Sequence, residues 1–131
     1  GNVLISVADR DKEECTGIAG KLLKLGFKLY ATRGTYNHLR KAGIEVEYVS
    51  EEDVLSYIKD DKIQLVINTP TKGKMANRLG FLIRRTAIEF NTPCLTSLDT
   101  TRAAMEVMEF VVNRADAEIY ELKEYSRPRI G

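Results

Sequence analysis

Five times along this chain a short strand-like run gives way to a stretch with helical spacing, and that alternation constrains the fold more than anything else. The runs are residues 3–8, 27–32, 45–49, 64–69 and 93–98. The first, Val3-Leu4-Ile5-Ser6-Val7-Ala8, is apolar almost without interruption, as a strand covered on both faces must be. Between the runs lie helical stripes: Cys15, Ile18, Ala19, Leu22 and Leu25; then Leu39 and Ala42; then Val54, Leu55 and Ile58. A further helix is expected over about residues 81–90. After residue 98 the spacing predicts a helix capped by Thr100, with Ala104, Val107, Met108 and Val111 facing inward. Gly26, Gly43 and Asn91 punctuate the ends, Asp11-x-x-Glu14 reads as a capping box, and Ser50 as a helix cap. Strand and helix in strict alternation predict an α/β domain, a five-stranded parallel doubly wound sheet between two helical layers. Residues 1–114 make that domain. Residues 115–131 read as a polar tail, either frayed or forming a short edge strand around residues 119–122.

With 131 residues, the chain suits one domain able to bury a core without disulfides. Its 20 Lys and Arg against 19 Asp and Glu give a net charge of +1, which argues against a general nucleic-acid binder. No apolar run approaches the roughly 18 residues of a membrane helix. Nor does a signal peptide open the chain, so a cytoplasmic protein without membrane attachment is expected. Two cysteines and one histidine leave little for a disulfide framework or a zinc site. Cys15 and Cys94 read as core thiols, and no metal site is expected. The average charge conceals patches: residues 72–85 carry five bases and no acid, residues 45–53 five acids and no base, and residues 106–124 six acids against two bases.

In open parallel sheets ligands bind beyond the carboxyl ends of the strands, where the winding reverses. Those ends here read Asp9-Arg10-Asp11-Lys12, then Thr32-Arg33-Gly34-Thr35, then Asn68-Thr69-Pro70-Thr71-Lys72-Gly73-Lys74. Hydroxyls, an amide, cations and a glycine that admits close backbone approach are gathered just before helix starts, whose first N–H groups lack intrahelical partners. Such a set suits a phosphate or another dianion. The candidates are Lys12, Thr32, Gly34, Thr35, Asn68, Thr69, Thr71 and Lys72. Each has a plainer reading too: Thr35 and Thr71 as helix caps, Lys12 as a solvated helix residue, Pro70 and Gly73 as loop formers. His38 has no acid or thiol beside it in sequence and reads as a packing or surface residue, and Arg84-Arg85 reads as surface charge in preference to the alternative, a ligand or partner contact.

Several of these segments resemble the methylglyoxal-synthase-like domain: Leu4-Ile5-Ser6-Val7 with Asp11-Lys12, and the stretch from Gly26 through Tyr30-Ala31-Thr32-Arg33-Gly34-Thr35. Asn68-Thr69-Pro70-Thr71-Lys72-Gly73-Lys74, Ile83-Arg84-Arg85-Thr86-Ala87 and Pro93-Cys94-Leu95-Thr96-Ser97-Leu98 narrow the likeness to the C-terminal regulatory domain of the carbamoyl-phosphate synthase large subunit. The resemblance implies an effector site for a nucleotide monophosphate, UMP as inhibitor or IMP as activator, with no catalytic residue and no cofactor in the domain. It implies Lys12, Thr32 and Thr35 at the phosphate and Asn68 on the rest of the nucleotide. It implies, too, a much larger parent ligase in pyrimidine or arginine biosynthesis. That parent uses ATP with Mg or Mn and works with a glutaminase small subunit. Two departures stand out: relatives carry a Lys after the third strand where this chain has Ser50-Glu51-Glu52-Asp53, and Pro70 stands where some carry Thr. The alternative on this scaffold is methylglyoxal synthase, a phosphate-eliminating lyase. Its chemistry needs a carboxylate base, which the synthase carries in a Gly-Gly-Asp loop after the fourth strand. Residues 71–77 here contain no acid.

Overall fold

The structure, a computed structural model, describes residues 1–71 and 78–125, the last six of these as backbone alone. Five parallel strands form one sheet: β1 (Asn2–Ser6), β2 (Lys28–Ala31), β3 (Glu47–Tyr48), β4 (Leu65–Asn68) and β5 (Cys94–Leu95), in the spatial order β3-β2-β1-β4-β5. The most apolar run is the central strand, and Val3, Leu4 and Ile5 are wholly buried. The register sets Ile5 beside Ala31 on one side and Ile67 on the other, so β1, β2 and β4 end almost level.

Alternation along β1 divides the core in two. Val3 and Ile5 face a layer made by α1 (Lys12–Lys24), α2 (Arg33–Lys41) and α5 (Leu98–Tyr125), through Cys15, Ile18, Leu22, Leu39, Leu98 and Met105. Leu4 and Val66 face α3 (Val54–Lys59) and α4 (Arg78–Glu89), through Val54, Ile58, Ile83 and Ala87. The fold is therefore the three-layer α/β/α arrangement that the alternation predicts. The chain steps outward from β1 to β2 to β3, then returns to lay β4 on the other flank of β1. The winding reverses between β1 and β4, and ligand sites of open α/β sheets lie at such a reversal. Gly26 and Gly43, with φ of 92° and 80°, end α1 and α2 in the left-handed conformation.

Several local expectations need correction. No capping box opens α1; a 3-10 turn over Asp9–Asp11 precedes it, and neither acid of the predicted box caps. Arginines take both instead: Asp11 lies 3.7 Å from Arg10, and Glu14 is ion-paired with Arg102. Ser50 acts one turn before α3, accepting the Asp53 N–H at 3.2 Å. At the start of α5 the capping hydroxyl belongs to Ser97, which accepts the Thr100 N–H at 3.1 Å, and not to Thr100. The inward stripe of α5 is Leu98, Thr101 and Met105, with Ala104 and Met108 half-buried, while Val107 and Val111 face solvent. No edge strand forms around residues 119–122, because α5 runs on to Tyr125. No Gly or Pro interrupts residues 98–125, and Arg114 pairs with Glu118 one turn on, at 3.3 Å.

Candidate functional site

Ser6, the last residue of β1, is where the level strand ends meet. Its hydroxyl accepts from Thr32 Oγ1 at 2.8 Å, and its carbonyl accepts from Asn68 Nδ2 at 2.8 Å. One residue on, the Val7 N–H donates to Thr35 Oγ1 at 3.1 Å, and the Ala8 N–H donates to Thr69 Oγ1 at 2.8 Å. β1 outruns its ladder here by two residues, and neighbouring side chains satisfy its last amides in place of a strand. Thr32, Thr35, Asn68 and Thr69 are all buried.

The direction of these bonds matters. A hydroxyl has one hydrogen to give and lone pairs to accept with. Thr35 and Thr69 each spend acceptor capacity on a β1 amide, so each keeps its O–H as a donor. Thr32 gives its hydrogen to Ser6, which leaves the Ser6 O–H as the donor at that point. The strand ends thus present hydroxyl donors, the polarity an anion requires. Thr35 is accordingly not a cap of its own helix. It sits in the first turn of α2, whose first intrahelical bond is Tyr36 N–H to the Thr32 carbonyl at 2.8 Å. The amides of Arg33, Gly34 and Thr35 precede that bond and have no acceptor within the helix.

Lys12 supplies the cation. It opens α1 but is not the solvated residue of the plainer reading: its side chain is 18% exposed, and its ammonium is ion-paired with the exposed carboxylate of Asp9. That nitrogen lies against the backbone of Gly34, so closely that a Cβ built on Gly34 would stand 2.7 Å from it. The Lys12 hydrogen bond and charge hold the Asp9 carboxyl below its ordinary range.

Of the sequence candidates, Lys12, Thr32, Gly34, Thr35, Asn68 and Thr69 come together at the β1, β2 and β4 ends. Thr71 is exposed and makes no side-chain hydrogen bond among the described residues. Lys72 and the polar segment after it lie outside the described residues. Sequence reasoning missed two members. Ser6 reads only as part of a strand, yet it joins both flanks. Arg84, assigned to the surface, reaches in from half-buried α4 and donates to Asn68 Oδ1. Arg10 adds a bond to the Pro70 carbonyl at 2.7 Å, tying the turn after β1 to that after β4. His38 lies outside the cluster, 3.3 Å from Glu13. Burial pushes the Cys15 thiol up to about 12, with the Asp11 carboxylate adding to it, and burial also raises that of Cys94. Among the described residues no group of three His, Cys, Asp or Glu side chains could hold a metal ion, and no helix is long and apolar enough to cross a membrane.

Comparison with known proteins places this arrangement. The family model of the MGS-like domain matches residues 14–96, more than half of the chain. The chain belongs to the MGS-like domain family. Over 116 residues this MGS-like domain is 47% identical to the C-terminal section of the carbamoyl phosphate synthase large chain of Methanopyrus kandleri. The alignment covers 85% of this chain but only 21% of that relative, so the MGS-like domain spans about a fifth of the protein it matches. Two solved structures share its fold. Methylglyoxal synthase from Elizabethkingia anophelis NUHP1 superposes with a TM-score of 0.68 at 19% identity, covering 79% of this chain and 76% of that one. ForH superposes with a TM-score of 0.62 at 22% identity, covering 82% and 79%. At such identities the likeness concerns the fold alone.

Proposed function

We propose that this MGS-like domain is the regulatory domain of a carbamoyl-phosphate synthase large chain, and that it binds a nucleotide monophosphate at the ends of β1, β2 and β4. One observation carries the reading. The Ser6, Thr35 and Thr69 hydroxyls each accept a bond at the β1 end and keep a hydrogen to donate, the first amides of α2 have no acceptor within the helix, and the Lys12 ammonium lies against Gly34. Donors without acceptors beside a mostly buried cation fit a dianionic phosphate. The likeness to the C-terminal section of the Methanopyrus kandleri large chain supports the parentage. In that setting the domain needs no cofactor of its own. Its partners are the rest of the large chain, which would use ATP with Mg or Mn, and a glutaminase small subunit.

The remainder of the nucleotide has a place beside the first turn of α2, in a cleft of about 260 Å³ lined by Arg33, Tyr48, Glu51 and Glu52. Ribose hydroxyls and base N–H groups are donors that such carboxylates accept. The acids stand where relatives of the resembled family carry a lysine, so this chain reads the sugar and base more than it adds a second charge to the phosphate. Regulation follows if the effector binds two conformations of the parent unequally.

Calorimetric titration with UMP and IMP tests the proposal. Binding that weakens in competing inorganic phosphate is expected. Lys12→Ala should lower the affinity about tenfold or more, since a charge-assisted contact contributes roughly 1.5–3 kcal/mol. Heats equal to dilution for both nucleotides would overturn the effector site. Incubation with dihydroxyacetone phosphate should release no methylglyoxal, and steady turnover would replace the regulatory reading with the lyase one.

A further inference from the structure

Away from the strand ends, two helices carry matching outer rows. On α4, Phe81 and Ile88 are 54% and 74% exposed, and they stand one heptad apart, about 10.5 Å along the axis. Arg78 and Arg85 form a second exposed row with the same spacing, about 60° round the helix. On α5 the buried stripe that ends with Met105 and Met108 continues past the body of the domain as Val112 and Ile119, 42% and 51% exposed and again one heptad apart. Glu109 and Asp116 run beside them, also a heptad apart and displaced in the same rotational sense. Among the described residues, Arg78 and Arg85 have no acidic partner, and Glu109 and Asp116 have no basic one.

We infer that the projecting half of α5 docks on the outer face of α4 of a second copy of this chain. Charge rows displaced in the same sense on two helices face each other when the helices run antiparallel, so Arg78 meets Asp116 and Arg85 meets Glu109 while the apolar rows interleave. Pairing α5 with α5, or α4 with α4, would set like charges against each other. Neither self-pairing competes. α4 and α5 lie on opposite faces of the sheet, which directs the contact to another molecule. A two-fold axis uses it twice and closes a dimer.

The 131-residue chain itself provides the test. Sedimentation velocity across a concentration series should show reversible self-association. Ile88→Ser, a change at a position exposed in the monomer, should raise the dissociation constant at least about tenfold, as loss of a buried interface anchor does. Arg78→Glu/Arg85→Glu sets acid against acid between its own copies, and Glu109→Lys/Asp116→Lys sets base against base. Each variant alone should be monomeric with unchanged circular dichroism, and an equimolar mixture should associate about as tightly as the wild type. A wild-type chain that stays monomeric at the highest concentration overturns the inference. So does association indifferent to these substitutions, or a mixture of the two charge variants that does not associate.

Discussion

A methyl group at position 34 would lie 2.7 Å from the Lys12 ammonium nitrogen, which makes Gly34 a sharp probe of the site. Gly34 is helical and does not have a positive φ, so alanine suits its backbone. The atom it would displace is the free end of a flexible side chain. Gly34→Ala should therefore leave the denaturation midpoint unchanged or raise it, by up to ~1 kcal/mol of helix propensity, while UMP affinity falls about tenfold through the displaced cation. Parallel denaturation and calorimetry separate the two effects, and a loss of both would make Gly34 a merely structural residue. Cys15 offers a test of burial. Its thiol is protonated in both states below its ordinary value of 9.0 and, when folded, ionises only at about 12. Between those values the unfolded thiol loses its proton first, so the stability it contributes is complete below pH 9 and declines as pH rises, by at most ~1.4 kcal/mol per unit. The stability gap between wild type and Cys15→Ala should accordingly narrow between pH 8 and pH 10.5. At this scale Lys12, Thr32 and Thr35 were legible because hydroxyls and a cation gathered at strand ends stand out from a strand's usual composition. Ser6 and Arg84 were not. A serine closing a strand carries no such contrast, and whether an arginine beside Ile83 reaches Asn68 depends on how α4 is docked.

Helix periodicity located all five α-helices, but it is a poor guide where a helix is apolar on several sides. Between Ala104 and Val112 apolar residues occupy almost every direction around α5, so the spacing Ala104, Val107, Met108, Val111 was as regular as the true inner row of Leu98, Thr101 and Met105. Packing against β5 and α1 chose between them. The tail failed for a related reason: polarity was read as irregularity, although Ala115, Ala117 and Glu118 are good helix formers with nothing to break them. Caps were misplaced by a few residues, since Ser97 and Thr100 both suit the role and only the backbone geometry decides. Ser97→Ala should cost ~1 kcal/mol in chemical denaturation, the usual worth of a cap hydroxyl, and Thr100→Ala distinctly less. The reverse order would return the cap to Thr100.

At the scale of the molecule, strict alternation made a parallel sheet legible, but not the order of its strands. Strand order is fixed by which faces the helices cover: β1 and β4 are buried almost throughout, whereas β3, with Glu47 and Tyr48 exposed, takes an edge. The order found places the first strand of the chain at the centre of the sheet, and this has a consequence for the time course of folding. Thr32 reaches Ser6 across 26 residues of sequence, whereas Asn68 reaches it across 62. Contacts of short separation close before distant ones, because each added length of loop raises the entropy of closure. The β1-α1-β2-α2 unit can therefore assemble while the β4 flank is still open, with Lys12, Thr32 and Thr35 in place and Asn68 and Thr69 absent. Capacity to bind nucleotide should then appear only in the slowest refolding phase, later than most of the helical signal, when β4 docks. Stopped-flow refolding with a fluorescent nucleotide present checks this order, and binding that rises together with the earliest helical signal would contradict it.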